Sequence, residues 1–391
     1  MNSLRILLTR ARYFGPAWVF ASLNVIISTW ILYIPTVKER LDLDKGDLGQ
    51  ALFCFSLGMF LIIPFAPRLL RSTGLGRGTF LAVVATGLAM IAPVLVPTYP
   101  LLCAALFLGG VFVSLTDIGM NALVSGIETA DEAHFLSAAH GFFSLGGVLG
   151  AGIGSLFIGA FLPWTHAAGA AIFVLLTNLI FVRHYWKYRE ANANPDDEEK
   201  RGMNWSLVVT LLPLVVLSLL TMGSEGSVEH WSKLYLLELG GSVSERAAGF
   251  GFVAFSATMT LGRFLGDAIS QRFGSRTLVR GGNLLAAAGY GLVLVGDYGV
   301  SLAGFALVGL GFSVIIPELF RLAGRTRGVD PSESIAVVAG LGYVGFLLSP
   351  ALLGYLADWG GLRLSFAVLA GAALVGVVVQ LGTSGAGNSG G

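Results

Sequence analysis

The stretch LLCAALFLGGVFVSLTDIGMNALVSGIE, residues 101–128, decides the fold class of this chain. A helix needs about 20 mainly apolar residues to cross the hydrocarbon core of a bilayer, and this run is long enough. It nevertheless carries three polar or ionisable side chains, Asp117, Asn121 and Glu128. Ionisable groups are costly in a membrane and usually face a bundle interior or a watery cavity. The stretch therefore predicts a membrane-spanning helix with one functional polar face.

Similar apolar runs recur along all 391 residues, of which 55% are hydrophobic and only 12% are charged. Soluble proteins carry about 25% charged residues. The runs are predicted to be helices because lipid does not tolerate unpaired backbone polar groups, and no barrel-like alternation is present. The sequence predicts an all-α integral membrane protein with twelve spans, at about residues 13–36, 47–70, 77–97, 100–127, 135–161, 164–186, 205–234, 246–270, 276–297, 299–321, 334–357 and 361–382.

The distribution of Arg and Lys predicts the orientation of the spans, because these residues are enriched on the cytoplasmic side. One side collects seventeen of them: Arg5, Arg10, Arg12, Arg68, Arg71, Arg77, Arg183, Lys187, Arg189, Lys200, Arg201, Arg272, Arg276, Arg280, Arg321, Arg325 and Arg327. The other side has six: Lys38, Arg40, Lys45, Lys233, Arg246 and Arg363. We expect a multi-pass protein of the cell (inner) membrane with both termini in the cytoplasm.

The longest polar segment, residues 187–204, separates spans six and seven. We interpret it as a cytoplasmic linker between two six-helix bundles, residues 1–186 and 205–382, with a flexible tail at 383–391. Shifting the chain on itself by 200 or 201 residues gives an ordered series of identities that supports two repeats. They are Trp30 with Trp231, Gly49 with Gly249, Phe55-Ser56 with Phe255-Ser256, Gly74 with Gly274, and Gly141 with Gly342.

The same shift pairs polar residues within predicted spans. Asn24 falls on Glu225, and Asp117 falls on Glu318. Two repeats of the same topology imply a pseudo-two-fold axis along the membrane normal, with the binding site at the repeat interface. Spans one, four, seven and ten are therefore expected to line a central polar cavity between two pseudo-symmetric halves.

The six-plus-six arrangement, the central linker and two basic glycine turns resemble the major facilitator superfamily over essentially the whole chain. The turns are RLLRSTGLGR (68–77) and GDAISQRFGSR (266–276). They depart from the superfamily's Gly-x-x-x-Asp-Arg-x-Gly-x-Arg signature, because Arg71 and Gln271 stand where the Asp is expected. The resemblance implies conformational roles for Arg71 and Arg272, with Asp267, one turn earlier, as a substitute for the missing carboxylate.

Within that superfamily, TDIGMNALVSGIE (116–128) followed by HGFFSLGGVLGAGIG (140–154) is similar to the fucose-permease-like group. GSEGSVEHW (223–231) and GYVGFLLSPALLGYLADWGG (342–361) resemble its MosC/YbjJ-like branch, which is associated with rhizopine, an inositol-amine. The resemblance implies a proton-coupling role for Asp117, which matches the carboxylate four residues before an Asn in span four.

The residues themselves allow the same role. Asp117, Asn121 and Glu128 share one helix face at about 100° per residue. Desolvation favours the protonated form of a carboxyl group, so Asp117 can load and release a proton as its hydration changes. The alternative is a structural Asp bonded to a neighbouring helix. Glu128 is expected near the cytoplasmic end, in interfacial water.

Further candidates for proton coupling are His140 and Glu318. Spans four and five form a hairpin that brings His140 to the depth of Asn121, so its imidazole either shares the proton of Asp117 or is a packing residue. Glu318 mirrors Asp117 and lies one turn from Arg321. This pair is either an intrahelical salt bridge or part of a cytoplasmic gate.

The substrate-binding candidates are Asn24, Asn121, Ser144, Glu225 and Trp231. Glu225 has glycines nearby and is expected to bind a hydroxyl-rich or cationic solute. For Trp231, a membrane anchor or an outer gate is the alternative to stacking on a solute. Arg263 is expected either to pair with Asp267 at i+4 or to face the cavity, where it balances Glu225 or binds an anionic group.

These features predict a secondary active transporter of a small polar solute of the sugar, polyol or inositol-amine type, coupled to protons and working by alternating access. The alternative is a proton-driven exporter of amphipathic compounds or drugs, which would need a mainly aromatic cavity. ATP is not expected to drive transport because there is no G-x-x-x-x-G-K-[ST] motif.

Other classes of protein fit the sequence less well. An intramembrane enzyme needs a catalytic cluster at one interface, and a channel needs a pore-lining ring; neither is evident. Cys54 and Cys103 lie in apolar runs and are expected to be small packing residues. We expect no cofactor, no metal and no nucleic-acid partner, and a monomer whose partners are the solute, protons and the lipid bilayer.

Overall fold

The computed structural model describes residues 2–133, 135–189, 205–240, 243–326, 329 and 331–385. This part of the chain folds into fifteen α-helices. They are α1 (Asn2–Thr9), α2 (Ala11–Arg40), α3 (Lys45–Ile62), α4 (Ala66–Thr73), α5 (Leu75–Ala89), α6 (Tyr99–Asp131), α7 (Leu136–Phe157), α8 (Pro163–Phe181), α9 (Trp205–Thr210), α10 (Leu212–Glu238), α11 (Glu245–Phe273), α12 (Ser275–Val295), α13 (Tyr298–Phe312), α14 (Ile315–Ala323) and α15 (Pro331–Gly385).

Nine helical segments of the described chain are long and apolar enough to cross a membrane. Helices α3 and α4 add a tenth, bent by 63° at a short break. Helix α15 contains two spans, separated by non-helical backbone at Gly360 and Gly361. Helix α10 completes the set; it is less apolar because it carries Glu225, Glu229 and Lys233. The predicted twelve-span, all-α membrane fold is confirmed.

Numbered along the chain, spans one to six are α2, α3–α4, α5, α6, α7 and α8. Spans seven to ten are α9–α10, α11, α12 and α13–α14, and the two parts of α15 are spans eleven and twelve.

Breaks not predicted from the sequence fall near prolines in spans two and seven. Pro64 separates α3 from α4, and Pro213 follows the break between α9 and α10. Proline disfavours a continuous helix because it lacks the backbone donor and its ring clashes with the preceding turn.

The backbone repeats with the predicted period. Gly74 and Gly274 each end one helix and begin the next, with φ of 84° and 76°. Only glycine adopts this region without steric cost. Asp44 and Ser244, also 200 residues apart, each accept a hydrogen bond from the backbone N–H three residues on and so begin spans two and eight. The two halves are therefore pseudo-symmetric.

The two halves meet where span two packs on span eleven and span five packs on span eight. At Gly49, a Cβ atom would lie 2.7 Å from the carbonyl oxygen of Pro350. A Cβ atom at the matched Gly249 would lie even closer to the Oγ atom of Ser155 in span five. Small residues let helices approach this closely in a membrane. We call this end of the molecule the closed end, and the opposite end, where α2 begins and α15 finishes, the terminus end.

Candidate functional site

A carboxylate from the second half caps a helix of the first half at the closed end. Asp358, near the end of span eleven, accepts hydrogen bonds from the backbone N–H groups of Lys45 (2.9 Å) and Gly46 (2.6 Å). These donors belong to the first turn of α3, which has no intrahelical acceptor for them. The Lys45 ammonium also pairs with Glu238 of span seven at 2.9 Å. Both contacts join the halves.

A buried lysine makes a further connection at the same end. Lys233 is 1% exposed, and its ammonium donates to the carbonyl of Leu32 in span one and pairs with Glu245 at 3.4 Å. Arg246 donates to the carbonyl of Ile158, at the end of span five (2.7 Å). The sequence identified Lys233 only as a basic residue on one side of the membrane, so its contacts between the halves were not predicted. A lysine within an otherwise apolar helix end was the available signal.

Arg263 connects the halves in the central layer, midway along the spans. Its guanidinium donates to Ser144 Oγ of span five at 2.9 Å and lies 3.8 Å from the Glu225 carboxylate of span seven. The second expectation for Arg263, that it balances Glu225, thus agrees with the geometry. The side chain of Asp267, the other expected partner, lies outside the described residues.

Asp117 and Asn121 are adjacent on span four, as their spacing predicts. The Asn121 amide donates to Asp117 Oδ1 at 3.3 Å and to the Asp117 carbonyl at 2.9 Å. Tyr343 of span eleven lies within electrostatic range of both Asp117 and Glu225. Its side chain is 39% exposed. Tyr343 is therefore a further residue of this region, and its position was not predicted from the sequence.

Two acceptor atoms in the central layer have no hydrogen-bond partner among the described residues. The Asn24 amide donates to the carbonyl of Phe143 at 2.9 Å, which ties span one to span five. Asn24 Oδ1 is buried and has no hydrogen-bond partner in the described structure, and the same holds for Glu225 Oε1. A Cβ atom at Gly147 would lie 2.8 Å from the Asn24 amide and 3.2 Å from Ser256 Oγ of span eight. Ser256 is thus a further polar neighbour.

His140 lies beside Arg263 rather than beside Asp117. Its ring makes an edge contact with Phe20 at 5.1 Å, and the Arg263 charge acts on it. In the described structure no contact joins His140 to Asp117. Span five turns this face of the helix towards Phe20 of span one and Arg263 of span eight.

Span seven adds three more residues to the central region. Glu229 lies close enough to Glu225 and Arg263 to interact with both charges. His230 hydrogen-bonds the Gly226 carbonyl through Nδ1 at 2.6 Å, and its ring contacts Phe55 of the first half. Trp231 is fully buried in this conformation, with 0% of it exposed.

At the terminus end, Glu318 forms an ion pair with Arg321 at 2.7 Å, and Arg321 also donates to Ser270 at 2.5 Å. All three residues belong to the second half, so the intrahelical alternative for Glu318 and Arg321 agrees with the geometry. Arg71 is exposed on α4, and the Arg272 guanidinium lies over the Phe273 ring at 5.4 Å.

Glu128 differs from its expected role as a solvated carboxylate. Its Oε1 accepts the backbone N–H groups of Phe135 and Leu136, the latter at 2.7 Å. It therefore stabilises the start of α7 from the end of α6. Residues 190–204 of the expected linker and 386–391 of the expected tail lie outside the described residues.

A layer of polar side chains between two pseudo-symmetric helical halves, with direct contact at one end, is the arrangement of a membrane transporter. Hydrogen bonds between the halves lie at the closed end and in the central layer. The described residues hold no cluster of metal-ligating side chains.

Comparisons with known proteins identify the family. The sequence profile of the Major Facilitator Superfamily matches residues 17–244 and again 201–383. The chain is 30% identical over 383 residues to the uncharacterized transporter y4wD of Sinorhizobium fredii (strain NBRC 101917 / NGR234), covering 97% of this chain and 99% of that protein. It is 29% identical to an uncharacterized MFS-type transporter of Yersinia pestis, with 88% of each chain covered.

The membrane protein MosC of Rhizobium meliloti is 26% identical, with 88% of this chain and 84% of that protein covered. The crystal structure of the nucleoside transporter NupG has the same fold, with a TM-score of 0.71, 11% identity, and 96% and 99% of the two chains covered. The chain belongs to the Major Facilitator Superfamily. The predicted resemblance to MosC is confirmed.

Proposed function

We propose that this transporter moves a small polar solute of the sugar, polyol or inositol-amine type by alternating access, coupled to protons. The observation that carries the proposal is the pair of buried acceptors, Asn24 Oδ1 and Glu225 Oε1, without partners in the described structure. Buried polar atoms are nearly always hydrogen-bonded. The hydroxyl or ammonium donors of a solute would satisfy both.

The charges of the central layer support a neutral or cationic solute. Two carboxyl groups, Glu225 and Glu229, interact with the Arg263 guanidinium, and a third, Asp117, shares the neighbour Tyr343 with Glu225. Adding an anion would place like charges together, whereas an ammonium or several hydroxyl groups complement the layer. This polarity favours a hydroxylated solute over the amphipathic cargo of a drug exporter.

Asp117 is the group we propose for proton coupling. Its carboxylate accepts a hydrogen bond from the Asn121 amide four residues on, and Tyr343 of the other half lies within electrostatic range. A carboxyl group whose hydration changes between two states of a transporter binds a proton in one state and releases it in the other. Ionisable groups within spans often have this function.

The direction of opening follows from the contacts and the basic residues. We propose that the terminus end faces the cytoplasm, because Arg and Lys are concentrated there. This conformation would then be closed towards the outside. Rocking of the two halves about the central layer would open the closed end and close the terminus end.

The proposal is tested by thermal unfolding of the purified protein with inositols, inositol-amines, sugars, nucleosides and cationic amphiphiles. We expect a polyhydroxylated compound to raise the unfolding temperature, and Glu225→Gln to remove the shift. The matched control is Glu132→Gln, an exposed carboxylate outside the layer, which should keep the shift. Stabilisation by amphiphiles alone, unchanged in Glu225→Gln, would support the exporter instead.

A further inference from the structure

The second half contains a cavity of about 420 Å³ that lies away from the central layer. It opens at the terminus end between spans seven, nine, ten and twelve. Residues that line it include Leu211, Leu214, Leu217, Arg276, Arg325 and Gln380. Since all four spans belong to one half, the cavity does not lie on the path between the halves.

The cavity changes from basic to apolar with depth. Arg276 is the second residue of α12 and Arg325 lies just beyond α14, so both guanidinium groups stand at the helix ends, where the head-group region begins. Both are exposed, and neither has an acidic partner among the described residues. Leu211 and Leu217 are almost fully buried. They are six positions apart, which corresponds to about 9 Å along a helix.

In the first half, the chain covers the position equivalent to Arg276. The repeat places Gly76 on Arg276, with the same shift of 200 residues as Gly74 and Gly274. Gly76 packs directly against the backbone of Tyr185, and its N–H donates to the Tyr188 carbonyl at 3.0 Å. Arg77 lies over the Trp186 ring at 5.3 Å. The segment after span six therefore fills this position.

A guanidinium at the position of Gly76 would not leave room for such a covering segment. In the second half, Arg276 is exposed and lines the cavity together with Arg325 and an apolar wall of leucines. A matching occupant has an anionic head and an apolar tail and is abundant at the membrane boundary. We propose that this cavity binds the head group and upper acyl chain of an anionic phospholipid.

General chemistry supports this occupant. Arg binds phosphate oxygens through charge-assisted, often bidentate, hydrogen bonds. Basic pockets between membrane helices are recognised sites for anionic head groups. A free phosphate ion would satisfy the guanidinium groups but leave the leucine-lined floor unfilled, so the lipid fits the whole cavity better.

The test measures binding of dioleoylphosphatidylglycerol and dioleoylphosphatidylcholine to the full chain in detergent, by native mass spectrometry and thermal unfolding. We expect the wild type to prefer phosphatidylglycerol by about tenfold or more, and Arg276→Gln/Arg325→Gln to lose that preference. The control, Arg68→Gln/Arg183→Gln, removes two exposed basic charges from the same end of the first half and should keep it.

Two further measurements keep the result interpretable. Leu214→Trp fills the floor without changing charge and should weaken phosphatidylglycerol binding while both arginines remain. Inorganic phosphate at the same concentration should not reproduce the thermal shift. No preference in the wild type, an unchanged preference in the double variant, or full replacement by phosphate would each overturn the lipid assignment.

Discussion

The closed end and the central layer both join the two halves, but by different means. At the closed end, glycines bring backbones together and charged side chains reach backbone groups, as with Asp358 on Lys45 and Gly46. In the central layer, Arg263 is the connecting cation, and two acceptor atoms in the described structure stay unpaired. The closed end is therefore a contact surface between helices, whereas the central layer has polar atoms that a solute could bind.

The largest effect is expected from Gly49→Val at the closed end. The new Cβ would lie 2.7 Å from the Pro350 carbonyl oxygen and 3.1 Å from the Ala351 Cα atom, so spans two and eleven must separate. Overpacking of this kind costs about 1–3 kcal/mol, or roughly a 5- to 150-fold shift towards the form open at this end. Labelling of Ser155→Cys, with Cys54 and Cys103 replaced by Ser, by an impermeant maleimide should rise strongly.

Gly169→Val is the matched control for that experiment. It places the same side chain on a helical glycine of span six, where a Cβ meets nothing within 4 Å. Equal labelling in the two variants would mean that the glycine contact does not hold the end closed.

A moderate effect is expected in the central layer from Arg263→Gln. The change removes the charge that faces Glu225 and weakens the link to Ser144. Hydrogen bonds to charged groups contribute about 1.5–3 kcal/mol, so solute affinity should fall by about tenfold or more. The measurement is the solute-induced rise in unfolding temperature as a function of concentration. Ser144→Ala removes one hydrogen bond and no charge, so it should lower the solute affinity by less than Arg263→Gln. The reverse order would show that Ser144, and not the Arg263 charge, organises the layer.

The smallest effect is expected from Lys45→Gln. Its ion pair with Glu238 is partly exposed, with 20% and 37% of the two side chains accessible. Exposed pairs contribute about 0–1 kcal/mol. Maleimide labelling of Ser155→Cys should therefore change by less than about fivefold. A change as large as that of Gly49→Val would mean that the ion pair, rather than the backbone contact, keeps this end closed.

Much of the fold follows from local sequence signals. Apolar length predicted twelve spans, and the 200-residue repeat predicted equivalent turns, which Gly74 and Gly274 form with nearly the same backbone angles. The spacing of Asp117 and Asn121 predicted one shared face, and their hydrogen bond agrees. These features depend on residues close together in the chain or on the repeat itself.

Features that depend on packing between distant spans were not predictable in the same way. Tyr343 approaches Asp117 from a helix more than 200 residues away, and Lys233 reaches the Leu32 carbonyl across the halves. Helical periodicity gives the depth of a residue but not which neighbour it faces. His140 illustrates this, since its neighbours, Phe20 and Arg263, were not anticipated.

The most direct test of proton coupling through Asp117 compares two modes of transport in proteoliposomes, once the solute is known. Asp117→Asn keeps the shape and the Asn121 contact but removes the titrating group. We predict that the variant loses accumulation driven by a pH gradient while retaining exchange of labelled for unlabelled solute at equal pH. Accumulation at the wild-type level in Asp117→Asn would contradict the account and leave Asp117 a structural residue.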